Sequence, residues 1–576
     1  MSVAPFDFSH FFTHAEILEF LRQMAVAYPD LITWEVIGRS YEGRDIVLAT
    51  LTQRRTGPAL EKPAYWIDAN THAGEVTGSA VALYDIHYLL THYGQEERVT
   101  RLLDGYTVYV LPRIAVDGAE KYLTTPYRLR SGPRPYPEPE PQPGLYPEDV
   151  NGDGKILQMR KEDPCGAWKV SSLDPRILVR RDPEEFGGTY YHLMTEGLIR
   201  EFDGYDVPVA PPLEGLDFNR NYPHEWVPEN EQVGAGDFPY SEPETRAIGE
   251  FLRSHRNING FVTYHTSSAV HIRPYATHPD EYYPPEDLDI YKLIGERATE
   301  ITGYPTISGY HQFRYHPKKV SHGNFNSYAY DTFGWYGFTT ELWDLPTEAG
   351  VVKKDFIQWF RWHPEADDLK MLKWNDRVLG GRGFIDWQPF EHPQLGRVEI
   401  GGWDYKAVWQ NAPPEMLPEL CEKHCRFAIA HALMSPRLAL ARSEVRRLGW
   451  AREGSQSLFR VVVQYENQGF LPTYTSQKAL ERRAVRPIQV RLELPEGSTV
   501  IVGSQKQEIG HLEGRSNKAY GEILSSGSGV DYRRKVEWVV QAPVGSSLLI
   551  VAQAERAGTV RTRVTLSDEG VGAGTP

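Results

Sequence analysis

The chain has 576 residues, 40% hydrophobic and 24% charged, an ordinary globular composition that is too long for a single domain. Its 62 basic and 77 acidic residues leave a net charge of −15 with no Lys/Arg-rich run, which disfavours nucleic-acid binding. Cys165, Cys421 and Cys425 cannot build a disulfide framework, and there is neither a signal-peptide pattern nor an apolar run of about 18 residues. A cytoplasmic protein that neither binds nor spans membranes is expected.

In chain order, Thr13-His14-Ala15-Glu16 offers a capping start, and Ile17, Leu18, Phe20, Leu21, Met24 and Ala25 then recur at helical spacing. Strands are expected at Ala64–Ala69, Thr107–Leu111, 260–264 and 336–340, with helices at 77–92 and 242–254; this alternation predicts an α/β domain. Ser241 and Glu244 read as the capping box of the second of those helices. Residues 131–212 are rich in Pro and Gly, 133–143 especially, and are expected to be a long insertion, either a lid that could roof the cleft or a small irregular subdomain. Beyond about residue 440, short alternating runs at 458–465, 488–494, 536–540 and 548–552 predict an immunoglobulin-like β-sandwich. The expected organisation is a catalytic domain over 1–435, a sandwich over 440–568 and a flexible tail over 569–576.

Chemistry concentrates at predicted strand ends. His72 and Glu75 follow the first buried strand as an H-x-x-E pair, which suits two of the three protein ligands of a catalytic zinc. A second such pair, His278 and Glu281, lies in loop-like sequence and reads as coincidence. His265 ends another strand and completes a ligand trio, because α/β sheets gather ligands at the carboxyl ends of their strands. Glu341 ends a fourth strand, where a carboxylate can take a proton from an activated water.

In this order the segments resemble the carboxypeptidase A-like zinc metallocarboxypeptidases. Ile37-Gly38-Arg39-Ser40-Tyr41-Glu42-Gly43-Arg44 is similar to that family's Gly-x-Ser-x-Glu-Gly-Arg segment, and Val116-Asp117-Gly118 to its Asn-Pro-Asp-Gly turn. Asp217-Phe218-Asn219-Arg220-Asn221 matches its Asp-x-Asn-Arg-Asn segment, His265-Thr266 its ligand site and Thr340-Glu341-Leu342 its catalytic Glu. The resemblance implies a mixed-sheet α/β catalytic domain that binds one zinc per chain through His72, Glu75 and His265, with Glu341 as general base. It also implies that Asn219 and Arg220 hold the free C-terminal carboxylate of a peptide, and that an Arg after the Asp-Gly turn stabilises the oxyanion. Arg130 is our choice for that role, with Arg128 beside it. Ala73-Gly74 stands where digestive members carry an Arg, Ala115-Val116 replaces Asn-Pro, and Asn326 falls where the family varies its selecting residue. Tyr310 and Tyr328 are candidates for a substrate-capping Tyr.

Two further patterns are separate from this set. Asp149, Asn151 and Asp153 with Gly154 follow a calcium-loop spacing, but position 12 is Arg160; Glu162 or Asp163 could substitute, and a plain Asx/Gly turn is the alternative. Cys421 and Cys425 flank His424 on a predicted helix and read as a buried face. The expected function is a zinc carboxypeptidase. The rival readings are an amidase or endopeptidase of the same family acting on γ-glutamyl or cell-wall peptide bonds, and an inactive scaffold serving as a binding protein.

Overall fold

The computed structural model describes residues 6–316, 318–450, 456–516, 531–567 and 570–573. At its centre is an eight-stranded mixed sheet in the order Ile32–Arg39, Asp45–Leu51, Thr107–Leu111, Ala64–Ala69, Ile258–Thr266, Tyr336–Leu342, Val270–Arg273, Thr306–Ser308. Its four middle strands run parallel and are buried along their whole length. That burial explains their near-continuous apolar sequence, since helices cover both faces of a parallel sheet. Tyr65, Ile67 and Ala69 point into one core with the helices His14–Ala27, Val76–Thr91 and Leu417–Ala432; Ala64 and Trp66 point into the other with Pro243–Ser254 and Phe325–Phe333.

The first helix carries the predicted capping box, with Thr13 accepting from Glu16 N–H and Glu16 from Thr13 N–H. The second expected box is absent. The helix begins at Pro243 with Glu242 as its N-cap, and Ser241 instead donates to Glu242 and accepts from Asn221. Pro at the first helical position moved the boundary, because its missing N–H needs no cap there. Two of the predicted strands are also longer than expected, so His265 and Glu341 lie inside strand ends rather than beyond them.

The insertion is not irregular. Gln158–Glu162, Trp168–Val170, Leu178–Arg180 and Tyr191–Thr195 join the distant hairpin Phe384–His392 and Gly396–Trp403 in a six-stranded antiparallel sheet. Met159, Ile199, Val398 and Ile400 form its core. Only the Pro-rich part behaves as expected, making an isolated bridge from Tyr136 to Glu214.

The C-terminal part is a sandwich of two antiparallel sheets around Phe459, Val461, Val490, Trp538 and Ile550. The strand Gln456–Asn467 alternates buried and half-exposed residues throughout, as a one-sided sheet requires. The expected tail is corrected over Gly570–Ala573, which pairs with Arg442–Val445 as an edge strand; residues 568, 569 and 574–576 lie outside the described residues.

A loop of the sandwich is fastened to the catalytic sheet by buried polar groups. Asp287 accepts from Tyr330 and Tyr336 hydroxyls, both at 2.8 Å, and from the backbone N–H groups of Gln477 at 2.8 Å and Lys478 at 3.0 Å. Thr475 donates to Asn259, Arg482 pairs with Asp331, and the buried Arg556 donates to Phe333 C=O. Asp287→Ala strands several buried donors together, and each buried orphan costs about 1–3 kcal/mol. Urea unfolding of that variant should show a loss of about 3 kcal/mol or more; a loss under about 1 kcal/mol would show that the loop is held by other contacts.

Candidate active site

The parallel sheet brings the candidate residues to one edge. After Ala69 the chain turns through Asn70 at φ 59°, whose side-chain amide donates to the carbonyls of His72 and Ala73. Glu75 then stands at the N-cap position of the helix Val76–Thr91, with its side chain making no capping bond. The ligand loop is braced from behind, because Ala73 N–H donates to Arg130 C=O and Ser131 Oγ to Thr71 C=O. Gly118 permits that approach: a Cβ there would lie 1.9 Å from Ser131 O and 2.7 Å from Ala73 Cβ. Its neighbour Asp117 collects Ser40 Oγ, Glu42 N–H and Arg44 Nη1, so two separated sequence motifs interlock.

His72, Glu75 and His265 converge in a buried cluster whose ligand atoms lie within 4.8 Å of one another. His72 Nδ1 is 2.7 Å from Glu75 Oε1, His265 Nδ1 is 2.9 Å from Glu75 Oε2, and the two Nδ1 atoms are 3.1 Å apart. His265 Nε2 is buried without a hydrogen-bond partner, and Glu75 Oε2 has the His265 Nδ1 beside it. Although burial opposes it, His72 and His265 hold the Glu75 carboxyl well below the usual range. Two imidazole nitrogens facing each other beside a buried carboxylate form a donor set for a cation, and two imidazoles with one carboxylate suit zinc.

Glu341 stands beside His265 in strand register and lines the same cavity of about 260 Å³. Burial raises its carboxyl, an effect that Glu75 reinforces and that His265 and Arg130 oppose. Arg130, Asn219 and Arg220 line the cavity as well. Asn219 Oδ1 accepts from Phe325 N–H, which leaves its Nδ2 hydrogens for a ligand, and Arg220 is anchored by one bond from Nη1 to Asn219 C=O. Arg128 lies outside the cavity wall and stacks on Tyr405 at 4.4 Å.

Sequence reasoning missed Asp217. It accepts from Arg130 Nε at 2.9 Å, lies 3.1 Å from His72 Nε2, and caps the turn that carries Asn219 and Arg220. Burial opposes its ionisation, but Arg130, Arg220 and His72 hold it well below the usual carboxylate range. Such a carboxylate fixes the orientation of a ligating histidine. Its signal was available, since it opens the same five-residue segment as Asn219 and Arg220. Tyr315 and Tyr405 were missed too. Both line the cavity, whereas Tyr310 stacks under Arg314 and Tyr328 is buried against Tyr222 and Tyr240.

No residue of the 131–212 insertion lines the cavity among the described residues, so the expected roof is corrected; Ile357 and Phe360 of the helix Phe356–Arg361 contribute instead. Calcium has no support either. Asp149 already accepts from Gly152, Asp153 and Gly154 N–H, Asn151 Nδ2 donates to Asp153, and Asp153 accepts from Lys155 N–H. Glu162 lies in a strand, and Asp163 accepts from Cys165 N–H. The segment is a run of Asx turns. Cys421 and Cys425 are free and buried in the core, as expected.

A mixed sheet thus carries at its strand ends a His-Glu-His trio able to hold a divalent metal, with a carboxylate beside it. The profile of the zinc carboxypeptidase family matches residues 17–360, and the chain belongs to that family. A profile described only as a domain of unknown function matches residues 437–565. The chain is 22% identical to carboxypeptidase A6 of Homo sapiens over 355 residues, covering 60% of this chain and 62% of that protein. It is 24% identical to carboxypeptidase B of Rattus norvegicus over 330 residues, covering 56% and 61%. The chain therefore spans less than two thirds of the length of these relatives. The crystal structure of thrombin activatable fibrinolysis inhibitor is similar over 74% of each chain, at 17% identity and a TM-score of 0.44.

Purified protein should carry stoichiometric zinc by elemental analysis, and His72→Ala or His265→Ala should lose it while the far-ultraviolet circular dichroism stays near parental. Zinc should raise the melting temperature of the metal-stripped parent, because a ligand bound by the native state alone stabilises it. Equal zinc content in parent and His265→Ala would overturn the ligand assignment.

Proposed function

We propose that the chain is a zinc-dependent carboxypeptidase that releases single residues from the free C-terminus of peptides. The observation that carries the reading is the placement of Asn219 and Arg220 in the same cavity as the ligand trio and Glu341. A metal hydrolase needs only the trio and a base. An Arg beside an amide donor adds a recognition element for a carboxylate, because its planar fork pairs with both oxygens.

In this reading Arg220 and Asn219 bind the terminal carboxylate, and the last peptide bond then lies between them and the trio. Zinc, when bound, polarises the scissile carbonyl and makes a water more acidic. Glu341, raised by burial, accepts a proton as that water adds to the carbonyl carbon. Arg130, held by Asp217 through Nε, directs the rest of its guanidinium toward the negative charge that develops on the carbonyl oxygen. The C–N bond then breaks, and Glu341 returns the proton to the departing amine.

Glu341→Gln should keep zinc and lose turnover by about 10³-fold or more, since the base is removed while the ligands stay. A C-terminally amidated peptide should be cleaved roughly thirtyfold to several thousandfold more slowly than the free acid, because losing a charge-assisted contact costs about 2–5 kcal/mol. Arg220→Ala should erase that difference by slowing only the acid. Equal cleavage of acid and amide by the parent, or cuts at internal bonds first, would make an endopeptidase or amidase the better reading.

A further inference from the structure

Beside the catalytic cavity lies a second groove of about 330 Å³ that shares Ile357 as a common wall. It runs between the helices Gly309–Gln312 and Phe356–Arg361, and its charged lining is one-sided: Arg314, Lys354 and Arg361 against Asp355. Asp355 is already engaged, since it caps the second helix by accepting from Gln358 N–H. The cations are not neutralised by neighbouring carboxylates. Arg314 lies 4.4 Å over the Tyr310 ring, Arg361 donates to Tyr315 C=O, and Lys354 is exposed. Outside the groove, Arg128 stacks on Tyr405, itself part of the catalytic cavity wall. Among the described residues none of these cations forms an ion pair, in a chain whose net charge is −15.

A cation held at a cavity mouth without a partner raises the local concentration of anions, and the effect is largest where the surrounding protein is acidic and repels them elsewhere. The inner wall of the cavity is occupied by groups that face the scissile bond and the terminal carboxylate. The part of a peptide that precedes the scissile bond must therefore leave through the mouth. We infer that this cationic groove receives acidic side chains in the residues upstream of the scissile bond, so that the substrates are peptides with acidic residues before a C-terminal residue to be released. The inference rests on the carboxypeptidase reading for its direction along the peptide, and on the groove itself for its charge.

The test uses hexapeptides that share their last two residues and carry Glu, Gln or Lys at the preceding three positions. The full-length, zinc-loaded protein should release the terminal residue from the Glu peptide with a kcat/KM about tenfold above that of the Gln peptide at low salt, with the Lys peptide slowest. The preference should shrink as salt rises to about 0.5 M, where charges more than a few ångströms apart are screened. Arg314→Gln combined with Lys354→Gln should bring the Glu-to-Gln ratio close to one. The same charge change made at Arg98 and Arg101, exposed on the helix Glu97–Gly105, should leave the ratio intact.

Terminal release with equal kcat/KM for Glu and Gln peptides would overturn the groove assignment and leave the carboxypeptidase reading standing. No terminal release from any peptide would instead remove the carboxypeptidase reading. The groove is then decided by fluorescence anisotropy of the labelled peptides on the Glu341→Gln protein: tighter binding of the Glu peptide, lost in the double groove variant, supports it, and equal binding overturns it.

Discussion

The site depends on one buried carboxylate serving two imidazoles. Glu75 lies against His72 through one oxygen and against His265 through the other, while the two ring nitrogens face each other at 3.1 Å. Buried this way, the three groups cannot all satisfy one another by hydrogen bonds, and an orphaned polar atom in a dry interior is costly. A cation between them removes the conflict. The same conflict explains why the surrounding structure is so strongly determined: Asn70, Arg130 and Ser131 pin the backbone of the ligand loop, and Gly118 is small enough to let them do so.

The sheet makes this possible by register. His265 and Glu341 occupy opposed positions on neighbouring parallel strands, so base and ligand are set side by side by backbone pairing alone. His72 and Glu75 arrive from the next strand across, on a turn that leads directly into a helix. Parallel strands end at one edge, and a cluster assembled from three of them needs no long loop to bring its parts together.

Much of this was legible in the sequence because strongly patterned strands announce their own ends. Ala64–Ala69 and Thr107–Leu111 are read with correct limits, since each is a short, mostly apolar run with a Pro at one boundary, Pro63 before the first and Pro112 after the second. His72, Glu75, His265 and Glu341 follow such runs closely. Tyr315 was not legible in that way, as it sits in a segment with no periodicity and only the folded chain brings it to the cavity; Asp217 stood in a recognised segment, but its contacts with His72 and Arg130 appear only in the folded chain. The insertion failed for a related reason. Its strands are short, and they join a larger sheet only through Gln158–Glu162, which pairs with the distant strand Gly396–Trp403, so the pattern that would identify them is split across the chain. At Pro243 a local rule overrode another: the S-x-x-E pattern is present, but Pro sets the helix start one residue later than a Ser241 cap would.

Asp217 ties the two ends of the cavity into one electrostatic unit. One oxygen lies beside His72 and also accepts from Asn219 N–H, while the other accepts from Arg130. It therefore orients a metal ligand, positions the guanidinium proposed for the oxyanion and fixes the turn that presents Asn219 and Arg220. A carboxylate shared in this way cannot be lost in parts. Removing it takes the Nε partner from Arg130, frees the His72 ring to turn and loosens the carboxylate clamp at once. Effects at His72, Arg130 and Arg220 should thus be non-additive with one another, since groups joined through one partner act together. That coupling gives a physical reason for the segment that begins at Asp217 and continues through Asn221: the recognition residues and the group that orients the metal ligand must move as a single rigid turn.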